Sequence, residues 1–116
     1  MLISELSKKA GVANDSIRHY VDLGLLNLGE LQAGSREYYD FHEKDLDRLD
    51  YIAASKELGF TLNEIKPYMD LFLEDSLSLE QIVSAFSDKL DELDKKIADI
   101  DKMRERLRKK IVMYRS

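Results

Sequence analysis

The chain predicts a mainly α fold, a winged helix-turn-helix domain followed by a long C-terminal coiled-coil helix. Three observations carry that expectation. A basic-aromatic stretch, Ser16-Ile-Arg-His-Tyr20, has helical apolar spacing around it and stops at Gly24. A glycine-punctuated segment bearing Arg36, Tyr38 and Tyr39 follows, and there the helical period is lost. From Leu79 onward apolar residues recur in alternating steps of three and four, the seam pattern of a coiled coil.

The elements follow in order. Ile3, Leu6 and Ala10 lie at helical spacing before Gly11 breaks the run. Ile17, Val21 and the Leu25-Leu26 pair resume it, with Asn14, Asp15 or Ser16 available as the cap. Two short helices joined by a glycine turn, each with an apolar stripe toward the other, make a helix-turn-helix. Gly24 suits the C-terminal stop of the second helix. Between Leu25 and Phe41, Leu26 and Leu28 alternate, Gly29 and Gly34 punctuate, and Glu37-Tyr38-Tyr39 favours extended backbone, so a small hairpin, the wing, is expected. Asp40 or His42 begins a third helix with the stripe Leu46, Leu49, Ile52 (or Ala53) and Leu58, ending at Gly59. Thr61 and Glu64 form a capping box for a helix from about Leu62 to Phe72, and Pro67 inside it implies a kink or a start at the proline.

Glu74 to Ser78 is a short polar joint. The expected organisation is therefore a winged helix-turn-helix domain at 1–73, a hinge at 74–78 and a dimerisation helix at 79–116. A helix from 79 to 114 is roughly 54 Å long at about 1.5 Å rise per residue, too long to bury its seam against a domain of roughly 75 residues. A second chain is expected to cover Val83, Phe86, Leu90, Leu93, Ile97, Ile100, Leu107 and Ile111.

At 116 residues, 44% hydrophobic and 35% charged, the chain suits one compact domain with a solvated extension. It has no apolar run of the ~18 residues that span a bilayer and no basic flank leading into an apolar stretch at the N-terminus. A cytoplasmic protein with no membrane association is expected. Zero cysteines exclude disulfides, thiolate metal ligands and thiol redox sensing. Net charge is -5, and residues 1 to 70 carry 8 Lys+Arg against 13 Asp+Glu, again 8 − 13 = -5. That balance opposes nucleic-acid binding, but affinity follows the phosphates actually neutralised and not the chain total. Weak non-specific binding with a modest salt slope is the expectation.

Arg18, between the core positions Ile17 and Val21, points outward, where a guanidinium offers paired donors to guanine or phosphate. The bland alternative is a solvated arginine. Tyr20 either donates to a phosphate or packs under the wing, and His19 is a base reader or an exposed bystander. Asn14 and Ser16, at the start of the same helix, belong to the candidate set. Arg36 and Tyr38 add phosphate-seeking groups on a second element. Lys56 and Lys66 grip the DNA backbone as a second wing or are ordinary surface lysines, and the free N–H groups at the start of the helix at 62 add a weak anion site.

Catalysis has little to stand on. His19 and His42 lie far apart in sequence with no cysteine partner, so neither a metal site nor any cofactor is expected. No nucleophile elbow or phosphate loop is present. Asp45/Asp47 and Asp91/Asp94 read as solvated helix faces. Tyr51, Phe60, Tyr68, Phe72 and Phe86 read as ordinary core, with a ligand pocket as the alternative. Residues 102 to 116 hold seven basic residues and one acid. They form a nucleic-acid contact, a partner patch, or flanks that pair with the acidic stretch Asp88 to Asp94, and an antiparallel partner favours the last.

The ordered pattern Ile3-x-x-Leu6, Gly11-Val12, Ser16-Ile-Arg-His-Tyr20, Gly24-Leu-Leu26, Arg36-x-Tyr38 and Leu58-Gly-Phe60 resembles the mercury-resistance regulator (MerR) family across residues 2 to 72. The resemblance implies a bacterial transcription regulator that dimerises through an antiparallel coiled coil. It implies binding to a pseudo-palindromic promoter element in double-stranded DNA and distortion of the promoter spacer so that RNA polymerase engages it. It makes Arg36 a minor-groove or phosphate contact and Tyr38 a phosphate contact. Ser35 stands where the family has an aromatic residue, Val21 where it has an acid, Ala13 where it has a capping serine, and His19 at an aromatic position. These departures bear on which DNA sequence is preferred, not on the fold. The family's metal sensors use cysteines at the far end of the long helix, a mode this composition excludes. Its multidrug sensors carry a large C-terminal ligand domain that the 116 residues do not include. The competing reading, motivated by the acidic first 70 residues, is a protein-interaction adaptor with a degenerate winged-helix domain and a coiled-coil dimer.

Overall fold

A computed structural model of the chain describes residues 1–26 and 41–116. These form two units, Met1–Leu77 and Ser78–Ser116.

The first unit contains α1 (Ile3–Ala10), α2 (Asn14–Asp22), α3 (Glu43–Glu57) and α4 (Leu62–Leu73). Helix α1 packs on both α2 and α3, and α3 packs on α4. Ile3, Leu6, Ile17, Tyr20, Leu25, Leu26, Phe41, Leu49, Ile52, Ile65 and Met69 fill the space between them. Burying a large apolar side chain of this kind contributes about 1.5–3 kcal/mol, which is what holds such short helices in place.

The helix ends are locally encoded. Past α2, Gly24 takes φ 77, which lets the Leu25 N–H donate to Tyr20 O at 2.8 Å and the Gly24 N–H to Val21 O at 3.0 Å. Gly59, at φ 89, does the same after α3, with the Phe60 N–H donating to Ser55 O at 3.1 Å. Helix α4 ends in the same motif with Asp75 at φ 54 in the glycine position, and the Ser76 N–H donates to Leu71 O at 2.8 Å. At its start the expected box is present: the Glu64 N–H donates to Thr61 Oγ1 at 3.3 Å and the Thr61 N–H to Glu64 Oε1 at 3.0 Å. The Met1 ammonium donates to Phe41 O at 2.6 Å and the Phe41 N–H to Met1 O at 2.9 Å, tying the entry of α3 to the entry of α1.

Several expectations need correction. The cap of α2 is Ala13, which makes no side-chain cap bond, so Asn14, Asp15 and Ser16 already belong to the first turn. On α3, Leu58 and Ala53 are exposed, and Asp45 (1% exposed) and Arg48 (7%) join Leu49 and Ile52 on the inner face. Asp45 is therefore not part of a solvated face; its Oδ2 accepts the His42 N–H at 2.9 Å. Helix α4 starts at Leu62 and runs through Pro67, so the proline is not its start. The aromatic set divides: Tyr51 and Phe60 pack half-buried against the core, whereas Tyr68, Phe72 (45% exposed) and Phe86 stand exposed. The Tyr51 and Phe72 rings pair at 5.0 Å between centroids, and burial raises the Tyr51 hydroxyl above the usual phenol range. The wing, with Gly29, Gly34 and Tyr39, lies outside the described residues.

The second unit is α5 (Leu79–Arg115), about 55 Å of helix at about 1.5 Å per residue. Ser78 caps it: the Gln81 N–H donates to Ser78 Oγ at 3.1 Å and the Ser78 N–H to Gln81 Oε1 at 2.8 Å. Glu92 with Lys96, Asp101 with Arg104, and Glu105 with Arg108 pair along its surface with the acid N-terminal to the base. That order agrees with the helix dipole, and each pair adds about 0.2–0.5 kcal/mol. The large apolar residues of the stripe (Leu79, Val83, Phe86, Leu90, Leu93, Ile97, Ile100, Met103, Leu107, Ile111) are all exposed in the single chain.

Candidate nucleic-acid interface

Helix α2 has two distinct faces. Ile17 and Tyr20 turn into the core, while Asp15, Arg18, His19 and Asp22, at helical spacing, stand exposed. The Arg18 Nη1 donates to Asp15 Oδ1 at 3.0 Å, and both side chains are well exposed. An exposed pair of this kind is worth about 0–1 kcal/mol, so Arg18 leaves Asp15 for a phosphate or a base edge at little cost. The face is not strongly basic: two carboxylates accompany one guanidinium. Any nucleic acid held here is held by few cations.

The other expected residues divide. Asn14 and Ser16 are half-buried, and Asn14 Oδ1 is buried with no hydrogen-bond partner among the described residues. Tyr20 is 8% exposed and its ring belongs to the core, in line with the packing role of the two expected for it. His19 is exposed beside it, with ring centroids 6.3 Å apart. Lys56, in the last turn of α3, and Lys66, in α4, are both exposed. Arg36 and Tyr38 lie outside the described residues.

The fold brings Lys66 to the end of α2. A methyl group placed on Gly24 would meet the Lys66 Nζ at 3.1 Å and Cε at 3.5 Å. The ammonium thus lies beside the C-terminal turn of α2, where partial negative charge on the last carbonyls favours a cation. Arg48, absent from the sequence-derived site, reaches the same region: Nε donates to Leu25 O at 2.7 Å and Nη2 to Asp70 Oδ1 at 2.8 Å. The signal for it was present, since 45, 48, 49 and 52 share one helix face and two of the four are apolar core. Among the described residues no group of three or more His, Cys, Asp or Glu is placed to hold a metal ion, and no helix is long and apolar enough to cross a membrane.

A second helix set on the first by a glycine turn, with an arginine on its outer face, defines a helix-turn-helix nucleic-acid-binding protein. Residues 1–71 match the MerR HTH family of regulatory proteins, and residues 46–110 match the family described as MerR, DNA binding. The chain belongs to the MerR family, and it is a DNA-binding transcription regulator. It is similar to the mercuric resistance operon regulatory protein of Bacillus cereus, 32% identical over 101 residues, covering 87% of this chain and 75% of that one. It is also similar to the solved N-terminus of MtaN, the Bacillus subtilis multidrug transporter activator, at 26% identity and TM-score 0.75, covering 96% and 97% of the two chains. A third likeness is to EcmrR, solved in an EcmrR–DNA complex in EcmrR-RPo, at 25% identity and TM-score 0.68, covering 92% of this chain and 37% of that one.

Proposed function

We propose that this regulator is a homodimer that binds a pseudo-palindromic promoter element in double-stranded DNA, one half-site per protomer. Helix α2 enters the major groove with Arg18 toward base edges or phosphate, flanked by Asn14, Ser16 and His19. Arg36 and Tyr38 contact the backbone or minor groove beside it, and Lys56 and Lys66 hold phosphates. Residues 1–73 form the reading domain, 74–78 the hinge and 79–116 the dimer helix, with Val83, Phe86, Leu90, Leu93, Ile97, Ile100, Leu107 and Ile111 at the seam. The observation that carries this reading is the pairing of an outward Arg18 on the second helix of a helix-turn-helix with an exposed apolar stripe along all of α5. A two-fold protein reads two half-sites in opposite orientation, which is why the element is pseudo-palindromic.

The DNA complex of EcmrR in EcmrR-RPo supports DNA as the ligand and RNA polymerase as a further partner. Distortion of the promoter spacer, which the family resemblance implies, is the proposed way that partner is engaged. The protein works in the cytoplasm and is not an enzyme. Titration of a random duplex and of a promoter-region library in a gel-shift assay tests the reading. Salt-sensitive binding with enrichment of a two-fold site is expected. The acidic outer face of α2 favours the adaptor reading if no salt-sensitive binding occurs even at low ionic strength.

A further inference from the structure

Arg48 is buried on α3, yet its guanidinium serves two other parts of the chain. Nε donates 2.7 Å to the carbonyl of Leu25, just past the end of α2, and Nη2 donates 2.8 Å to the carboxylate of Asp70 on α4. Among the described residues, the backbones of α1 and α2, α1 and α3, and α3 and α4 approach closely, and those of α2 and α4 do not. The Leu25–Arg48–Asp70 bridge joins those two elements, and Lys66 beside Gly24 lies next to it.

We propose that Arg48 is a positioning residue for DNA recognition. It fixes the exit of α2 on α4, so that Arg18 and Lys66 meet DNA as one rigid set. The proposal rests on the DNA-reading function proposed above. A guanidinium suits the task because it is planar and always charged, with donors in a fixed fork, so two bonds define a direction as well as a distance. A lysine ammonium has neither the fork nor the reach to hold both acceptors.

The test uses the full chain and reads fluorescence anisotropy at one fixed salt concentration. The two probes are a duplex selected from a random library by the wild-type protein and an unselected random duplex. Asp70 is the better handle because its side chain is 58% exposed, so removing it spares the core. Asp70→Ala should lower the ratio of selected to random affinity by about tenfold, the equilibrium equivalent of one hydrogen bond to a charged group. Asp70→Asn, which keeps an acceptor, should lose less; Asp70→Glu should restore the ratio, and Arg48→Lys should resemble Asp70→Ala. Circular dichroism confirms that each variant is folded. A merely structural role lowers the melting temperature and leaves the ratio of the folded protein unchanged, and that result overturns the proposal. If the wild-type protein selects no duplex at all, the DNA-reading function fails and the positioning role falls with it. If it selects one and the Asp70 variants keep the ratio, the positioning role alone fails.

Discussion

Replacing Leu93 and Ile97 together with aspartate puts the α5 seam to the most demanding test. In the single chain these side chains are 36% and 58% exposed, and both lie on the apolar stripe. Full burial of a leucine or isoleucine is worth about 1.5–3 kcal/mol, so covering the exposed part of each contributes about 1 kcal/mol. Two-fold symmetry presents each residue twice, which brings the lost apolar burial to about 4 kcal/mol. The four introduced carboxylates add more, because a charge buried without a partner costs several kcal/mol. A dimer with a dissociation constant between about 1 μM and 1 nM is held by about 8–12 kcal/mol, so the sum leaves no dimer at micromolar chain concentration. Sedimentation velocity should show a dimer for the wild-type chain and a monomer, or an unfolded chain by circular dichroism, for the double variant. Lys95→Asp, on the opposite side of the helix, should remain dimeric. A double variant that sediments as the wild-type dimer would refute the seam.

Other outcomes follow from the same geometry. Arg18→Ala should weaken binding to the best site by about 1–3 kcal/mol and relax the preference at one position per half-site, whereas Arg36→Ala should weaken all duplexes more evenly and flatten the salt slope. Unchanged affinity for both at one salt concentration would remove the α2-and-wing assignment. Thr61→Ala, which breaks the box at the start of α4, should lower stability by about 1 kcal/mol in denaturant titration; no change in midpoint would mean the cap is redundant. Asp75→Gly should raise stability by up to about 1 kcal/mol, because φ 54 strains an L side chain and not a glycine, and a lowered midpoint would contradict that.

Much of the fold was legible in residue order because the signals are local. Gly11, Gly24 and Gly59 mark the stops of α1, α2 and α3 where the backbone turns left-handed, and Thr61 with Glu64 marks the start of α4. These choices need only neighbours within a few residues. The candidate interface was less legible. Arg18 was correctly placed on an exposed surface, since one turn of helix decides which way it points, but Tyr20 was not separable from a phosphate contact. A tyrosine two positions on is polar at its tip and apolar in its ring, and only the neighbouring helices decide which end is used.

By itself, then, the order of residues determined the helical class, the glycine stops of α1, α2 and α3, the apolar stripe of α5 and the family to which the chain belongs. Hydrophobic period and capping chemistry act along the chain and survive without knowledge of contacts. Tertiary structure alone decided which partners the inward Arg48 meets and which aromatics stay outside the core. Asp45 and Arg48 are buried because the His42 N–H, the Leu25 carbonyl and the Asp70 carboxylate happen to meet them there, from positions up to 23 residues away. Phe72 lies on the same helical stripe as Ile65 and Met69, in the last turn of α4, yet it stays half-exposed with its ring against Tyr51. A buried charge needs its partners in space, and no spacing along the chain announces a partner that another helix supplies.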